Sequence, residues 1–148
     1  MQELWKLWCN AVDKHPFKTL FVLFIFVYIF EGITHSLWVQ TLVLFIITLG
    51  LSMILSIVLK SLFKISRGLE IKKIMDYRFP SAHTLIATTL CIVASLLDNI
   101  LALPLFIFLI LTAYSRVYIN AHKVVDVIAG FLFGILLGIG IYLGYFLL

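Results

Sequence analysis

The chain alternates long apolar stretches with short polar breaks, and the stretches have the lengths of membrane-crossing helices. Apolar runs occupy residues 17–33, 36–59, 81–97, 100–114 and 124–148. The breaks are a turn at residues 34–36, a long polar loop at 60–80, the Asp98-Asn99 pair and a segment around Ser115 to Lys123. A helix needs roughly 20 apolar residues to cross the hydrocarbon core, where only helices and closed barrels satisfy their own backbone. The pattern predicts five spanning helices. Two of them are short: at ~1.5 Å per residue, a 15-residue helix covers about 22 Å of a core about 30 Å thick. Their loops are therefore expected at or just below the headgroup plane.

Ahead of the first run, Leu4, Trp8, Ala11 and Val12 recur at helical spacing, with Lys6, Asn10 and Asp13 elsewhere around the wheel. Residues 1–16 are read as an interfacial helix with Trp5 and Trp8 at headgroup depth. No apolar stretch precedes a small-residue cleavage site, so this segment is expected to be retained. In the last run, Gly130, Gly134 and Gly138 form a small-residue stripe, with Ala129 and Gly140 nearby. Such a stripe lets another helix approach closely, and packing within the chain is expected rather than a dimer interface.

Composition agrees with the pattern. Of 148 residues, 64% are hydrophobic and 12% charged, against about 25% charged in ordinary soluble domains. Mean hydropathy is +1.18. The expectation is an all-α, multi-pass transmembrane bundle forming one domain over residues 1–148. Cys9 and Cys91 fall at different predicted membrane depths, so two free thiols are expected. No Cys or His cluster has zinc-ligand spacing, and no metal site is expected.

With five spans, the N-terminal segment, the 60–80 loop and the segment from Ser115 to Asp126 emerge on one side, which then holds all 11 Lys and Arg residues. Glu31, His35 and Asp98 remain near the other face. The positive-inside rule makes the basic side cytoplasmic, in a cell-membrane protein. Lys60, Arg67 and Arg116 are discounted from that excess because chemistry also explains them.

The chemistry lies in three short patterns: Lys60-x6-Arg67, Pro80-Ser81-Ala82-His83, and Ser115-Arg116-x5-His122-x3-Asp126. If a helix starts near His122, the imidazole and the Asp126 carboxylate share a face four residues apart and can hydrogen-bond. Cations, two histidines and one carboxylate suit phosphate chemistry. Lys64, Lys72, Lys73, Arg78 and Lys123 are read as headgroup-facing cations, and Tyr118 and Asn120 as loop scaffolding. His15, Glu31 and His35 are read as interfacial.

Together the three patterns resemble the signature motifs of the type 2 phosphatidic acid phosphatase superfamily, which also includes vanadium haloperoxidases and bacterial acid phosphatases. The resemblance covers residues 50–140 and is most specific in its third motif. It implies an α-helical bundle that hydrolyses phosphomonoesters or diphosphates through a phosphohistidine, without metal or other cofactor. Gly68 stands where the first motif usually has proline, Ala82 where the second usually has glycine, and five spans are counted where membrane members usually show six. A Cβ at Ala82 restricts how closely the backbone N–H approaches a phosphate oxygen.

What phosphoryl transfer needs then assigns the roles. Lys60, Arg67 and Arg116 would cradle the equatorial oxygens, while Ser81 caps its helix and donates its hydroxyl beside the Ala82 amide. His122 would attack phosphorus, Asp126 would hold its other N–H, and His83 would act as acid and then base. The leading expectation is a lipid phosphatase acting on phosphatidic acid, phosphatidylglycerophosphate or an isoprenyl phosphate or diphosphate. Its partners would be that substrate and membrane lipids, with no nucleic acid and no homo-oligomer indicated. Alternatives are an outward-facing polyprenyl diphosphate phosphatase, a lipid phosphotransferase, and a non-enzymatic scaffold or flippase.

Overall fold

The structure, a computed structural model, describes residues 38–65 and 77–147, with residues 3, 4, 6, 7, 9 and 29 besides. Its elements are α1 (Trp38–Phe63), α2 (Ala82–Leu97), a 3-10 turn (Asn99–Leu101), α3 (Ala102–Tyr118) and α4 (Val124–Leu147). No strand occurs among the described residues. The run at 17–33 lies outside them, as does most of the interfacial segment, of which Glu3, Leu4, Lys6, Leu7 and Cys9 are helical. At 26 and 24 residues, α1 and α4 are long enough to cross a membrane. With 16 and 17 residues, α2 and α3 are shorter.

Two helix ends run further than the apolar pattern predicts. α1 continues past residue 59 to Phe63, which puts Lys60 inside its last turn. α3 continues past residue 114 to Tyr118, so Ser115 and Arg116 are helical rather than loop residues. Polar residues near a helix end break the hydropathy pattern without breaking the backbone ladder. α3 also begins at Ala102, two residues later than expected, because Asp98 Oδ1 accepts the Ile100 N–H at 2.9 Å and shapes the intervening turn. Pro104 then falls in the first helical turn, where its missing N–H forfeits no bond.

α2 is the central element, with 11 of its 16 residues buried. Ala87, Cys91 and Ala94 pack on Leu101, Leu105 and Leu109 of the turn and α3, while Ile86 and Leu90 meet Phe45, Leu49 and Met53 of α1. Its most extensive partner is α4. There a Cβ at Gly130 would come within 2.6 Å of the Ser81 carbonyl oxygen, at Gly134 within 2.6 Å of Thr88 Cβ, and at Gly138 within 2.8 Å of Ile92 Cβ. The glycine stripe serves packing within the chain, as its spacing suggests. Buried threonines opposite it spend their hydroxyls inside α2: Thr88 donates to the Thr84 carbonyl at 2.7 Å and Thr89 to the Leu85 carbonyl at 2.9 Å.

The outward faces are apolar. Ile46 and Ile54 on α1, Leu103 and Phe106 on α3, and Leu132 and Leu136 on α4 are all at least half exposed. Water disfavours such a surface and lipid does not. The C-termini of α1 and α3 and the N-termini of α2 and α4 share one end of the bundle. An apolar groove of about 360 Å³, lined by Leu44, Leu51, Leu137, Gly140 and Ile141, lies toward the other.

Glycine packing generates a paired prediction. Gly134→Ala forces α2 and α4 apart and should destabilise by about 1–3 kcal/mol. Gly140→Ala meets nothing within 4 Å and should be neutral or stabilising by up to about 1 kcal/mol through helix propensity. Thermal unfolding in detergent, monitored by circular dichroism, reads both.

Candidate active site

Lys60 is fully buried at the end of α1, and its Nζ donates to the carbonyl oxygen of Tyr77. This is not the snorkelling geometry of a helix-end lysine. One of three ammonium donors ties the returning end of the polar loop to α1. Arg67 and Gly68, the rest of the first motif, lie outside the described residues. The loop's last residues are held from a second point, because the Arg78 N–H donates to the Ile65 carbonyl at 2.8 Å. A cis Phe79-Pro80 bond then leads into α2.

Ser81 occupies the N-cap of α2 with extended backbone, yet its hydroxyl makes no capping bond. It accepts instead from Thr84 Oγ1 at 3.0 Å, which corrects the expected side-chain cap. Its backbone N–H donates to the Asp126 carbonyl at 3.0 Å. That bond joins the start of the second motif to the third. Ala82 and His83 follow as the first two helical residues, Ala82 buried and His83 half-buried. Their amides are among those that helix geometry leaves without an intrahelical partner, with the positive end of the helix dipole behind them.

The third motif is built by the end of α3 and the start of α4. Arg116, 3% exposed, lies in the last turn of α3, where Ser115 spends its hydroxyl on the Thr112 carbonyl at 2.7 Å. Asn120 takes a left-handed backbone with φ of 56° just past the C-cap Ile119, a conformation asparagine tolerates at helix ends. The reversal lets the His122 N–H donate to the Arg116 carbonyl at 3.1 Å. His122 is thereby folded under Arg116 and is 4% exposed.

α4 starts at Val124, after His122, so His122 and Asp126 do not share a helical face. Asp126 is instead the third helical residue, and its Oδ2 accepts the Lys123 N–H at 2.7 Å while Lys123 O accepts the Asp126 N–H at 3.0 Å. The first of these bonds is the carboxylate half of a capping box; the second is an ordinary backbone turn. The same oxygen lies 2.8 Å from Arg78 Nε and 3.9 Å from His122 Nδ1. The expected hydrogen bond from imidazole to carboxylate is therefore an ion-pair distance here. Arg78, read from sequence as a headgroup cation, is the closest charged partner of the catalytic candidate Asp126 among the described residues. Its place two residues before Pro80, inside the second motif's approach to α2, was the available signal.

Cys9 and Cys91 are free thiols, as expected, and both are buried. Burial pushes the Cys9 thiol above its ordinary range, and the Arg116 guanidinium pulls it only part of the way back. Cys9 thus lies within electrostatic reach of Arg116. No group of three potential metal ligands occurs among the described residues.

Lys60, Tyr77, Arg78, Ser81, Arg116, His122 and Asp126 therefore form one connected cluster at one end of the bundle. Cations outnumber the single carboxylate, and backbone donors line the entry to α2. Such a cluster is suited to hold a multiply charged anion beside an imidazole.

Known proteins bear on this arrangement in two ways. Among solved structures, the fold matches the crystal structure of the first transmembrane PAP2 type phosphatidylglycerolphosphate phosphatase from Bacillus subtilis. The TM-score is 0.72 at 19% identity, over 98% of this chain and 77% of that one. No match is found among curated proteins. The sequence profile of the PAP2 superfamily covers residues 41–147, which takes in every described member of the cluster. With the fold and a family profile spanning most of its length in agreement, the chain belongs to the PAP2 superfamily.

Proposed function

We propose that this membrane protein is a lipid phosphatase that removes a terminal phosphate from a lipid phosphate or diphosphate through a phosphohistidine on His122. The observation that carries the reading is the buried cluster of Lys60, Arg116, His122 and Asp126 at one end of a helix bundle whose outer faces are apolar. A site so placed meets lipid headgroups rather than soluble phosphates.

His122 presents Nδ1 toward Asp126, so Nε2 is the nitrogen that attacks phosphorus. As the N–P bond forms, the bond from phosphorus to the leaving oxygen breaks, and protonated His83 gives that oxygen its proton. Asp126 stabilises the imidazolium that develops. His83, now neutral, takes a proton from water as the water oxygen bonds phosphorus and the N–P bond breaks. Arg116, Lys60 and, from the first motif, Arg67 meet the charge on the equatorial oxygens. Ser81 and the Ala82 amide complete the oxyanion contacts. Positive charge from these side chains does this work without a metal ion.

Phosphatidic acid, phosphatidylglycerophosphate and isoprenyl phosphates or diphosphates are the substrates to compare. The B. subtilis neighbour is a phosphatidylglycerolphosphate phosphatase, which puts that lipid first in the series. We also place the site on the cytoplasmic face of the cell membrane, with residues 17–33 as a fifth span.

Purified protein in detergent with EDTA should release phosphate from at least one of these lipids. His122→Ala should reduce release to background, and His83→Ala should lower it by about 10²–10⁴-fold. The rate should fall on both sides of a maximum between about pH 5 and 9, because one histidine starts neutral and the other protonated. Transfer to an added alcohol in preference to water would make the protein a phosphotransferase instead. Retained activity in His122→Ala would end the phosphohistidine reading.

For orientation, buried Cys9 is a poor probe, and Lys64, exposed beyond α1, is a good one. In intact cells, Lys64→Cys should resist a membrane-impermeant maleimide and Ile100→Cys, at the opposite end, should react. The reverse pattern would place the site outside.

A further inference from the structure

Among the described residues, three groups converge on one carboxylate oxygen, Asp126 Oδ2: the Lys123 N–H at 2.7 Å, Arg78 Nε at 2.8 Å and His122 Nδ1 at 3.9 Å. The first is fixed by the backbone, since it caps α4. Arg78 Nε holds the second position as an ion pair without hydrogen-bond geometry, so its charge competes with the His122 imidazole for that oxygen. His122 comes close to the carboxylate but stays outside hydrogen-bond range. Of the two inner partners, only Arg78 can leave.

The surroundings of Arg78 suit it to move. Its side chain is 22% exposed, against 3% for Asp126 and 1% for His122, so it is the one of the three that is not fully enclosed. Its backbone is held: the Arg78 N–H bonds to Ile65 and the neighbouring Tyr77 carbonyl accepts from Lys60. A fixed backbone with a partly exposed side chain lets the guanidinium swing without disturbing the entry to α2. A phosphate group offers it more than the carboxylate does, namely a charge of about −1.5 to −2 and three acceptor oxygens, which a guanidinium engages with two parallel N–H donors.

We propose that Arg78 is a substrate-released latch, which holds the Asp126 carboxylate away from His122 and transfers to the incoming phosphate. Its departure removes the competing charge from Oδ2, and the His122 Nδ1–H closes onto it. The nucleophile is thus fully oriented only when a phosphate is present to be attacked. Arg78 is a positioning residue before binding and a phosphate ligand afterwards. The idea rests on the phosphatase reading for its substrate, whereas its structural core requires only that the site bind phosphate.

The test is nuclear magnetic resonance of ¹⁵N-histidine-labelled protein in detergent at fixed pH, with inorganic phosphate as the probe and His122→Gln to assign the signal. In the wild type, phosphate should move the His122 Nδ1 resonance to its hydrogen-bonded position. In Arg78→Gln the resonance should already be there without phosphate, whereas Arg78→Lys, which keeps the charge, should resemble wild type. In lipid phosphate turnover, Arg78→Gln should raise KM by about tenfold or more with kcat within about threefold, because a charged phosphate contact worth ~1.5–3 kcal/mol is lost. A wild-type resonance indifferent to phosphate would overturn the latch and needs no variant to fold. So would an Arg78→Gln resonance unchanged from phosphate-free wild type. Turnover without the shift sinks the latch alone, and the shift without turnover of any lipid sinks the phosphatase reading alone.

Discussion

The site depends on how closely α2 and α4 approach one another. At Gly130 the α4 backbone runs against the Ser81 carbonyl, close enough that a Cβ would sit 2.6 Å from that oxygen. Only at this separation can the Ser81 N–H reach the Asp126 carbonyl at 3.0 Å. One inter-helix backbone bond thereby places the N-terminus of α2, where helix geometry leaves the first amides without intrahelical partners and the dipole is positive, beside the carboxylate of α4. Gly134 and Gly138 continue the contact along the helices, so the geometry at the site end is set by packing through the whole thickness of the bundle. The threonines opposite assist by bonding their hydroxyls to their own helix, which leaves a small and satisfied surface for α4 to meet.

Burying four charged or titratable side chains at the end of a lipid-facing bundle is costly unless each is compensated. Lys60 is compensated by a backbone carbonyl, and Asp126 by a backbone N–H and a guanidinium. His122 is folded beneath Arg116 by a backbone bond across a left-handed residue, Asn120. Backbone groups at helix ends do much of this work, since those are the groups that helix geometry leaves without partners. The cations still exceed the anions, an imbalance suited to a negative ligand. Preorganisation of this kind is what phosphoryl transfer requires of a protein that contributes mainly charge and position.

Apolar run lengths were enough to foresee α1, α2, α3 and α4, and glycine spacing was enough to foresee a close helix contact. Three motifs pointed to Lys60, Ser81, His83, Arg116, His122 and Asp126, and the fold brings Lys60, Ser81, Arg116, His122 and Asp126 to one end of the bundle. The ends of α1 and α3 were missed because hydropathy registers the first polar side chain, whereas a helix continues until its backbone bonds stop. Lys60 and Arg116 therefore belong to final helical turns. The reading of His122 and Asp126 on one helical face failed for a related reason: α4 starts only at Val124, and the Asp126 carboxylate turns back to accept the Lys123 N–H at the helix start.

The amino-acid order by itself determined everything that follows from local periodicity and composition: a membrane bundle, its small-residue seam, and the residue types gathered for phosphate chemistry. Tertiary structure alone decided which charge pairs with which. Arg78 and Asp126 are far apart in the chain, and no spacing rule links them. They meet because α2 and α4 pack so closely that the residues leading into one helix reach the first turn of the other. A charge in a long side chain takes whichever partner the fold presents, and that choice is a property of three-dimensional distance, to which sequence separation is no guide.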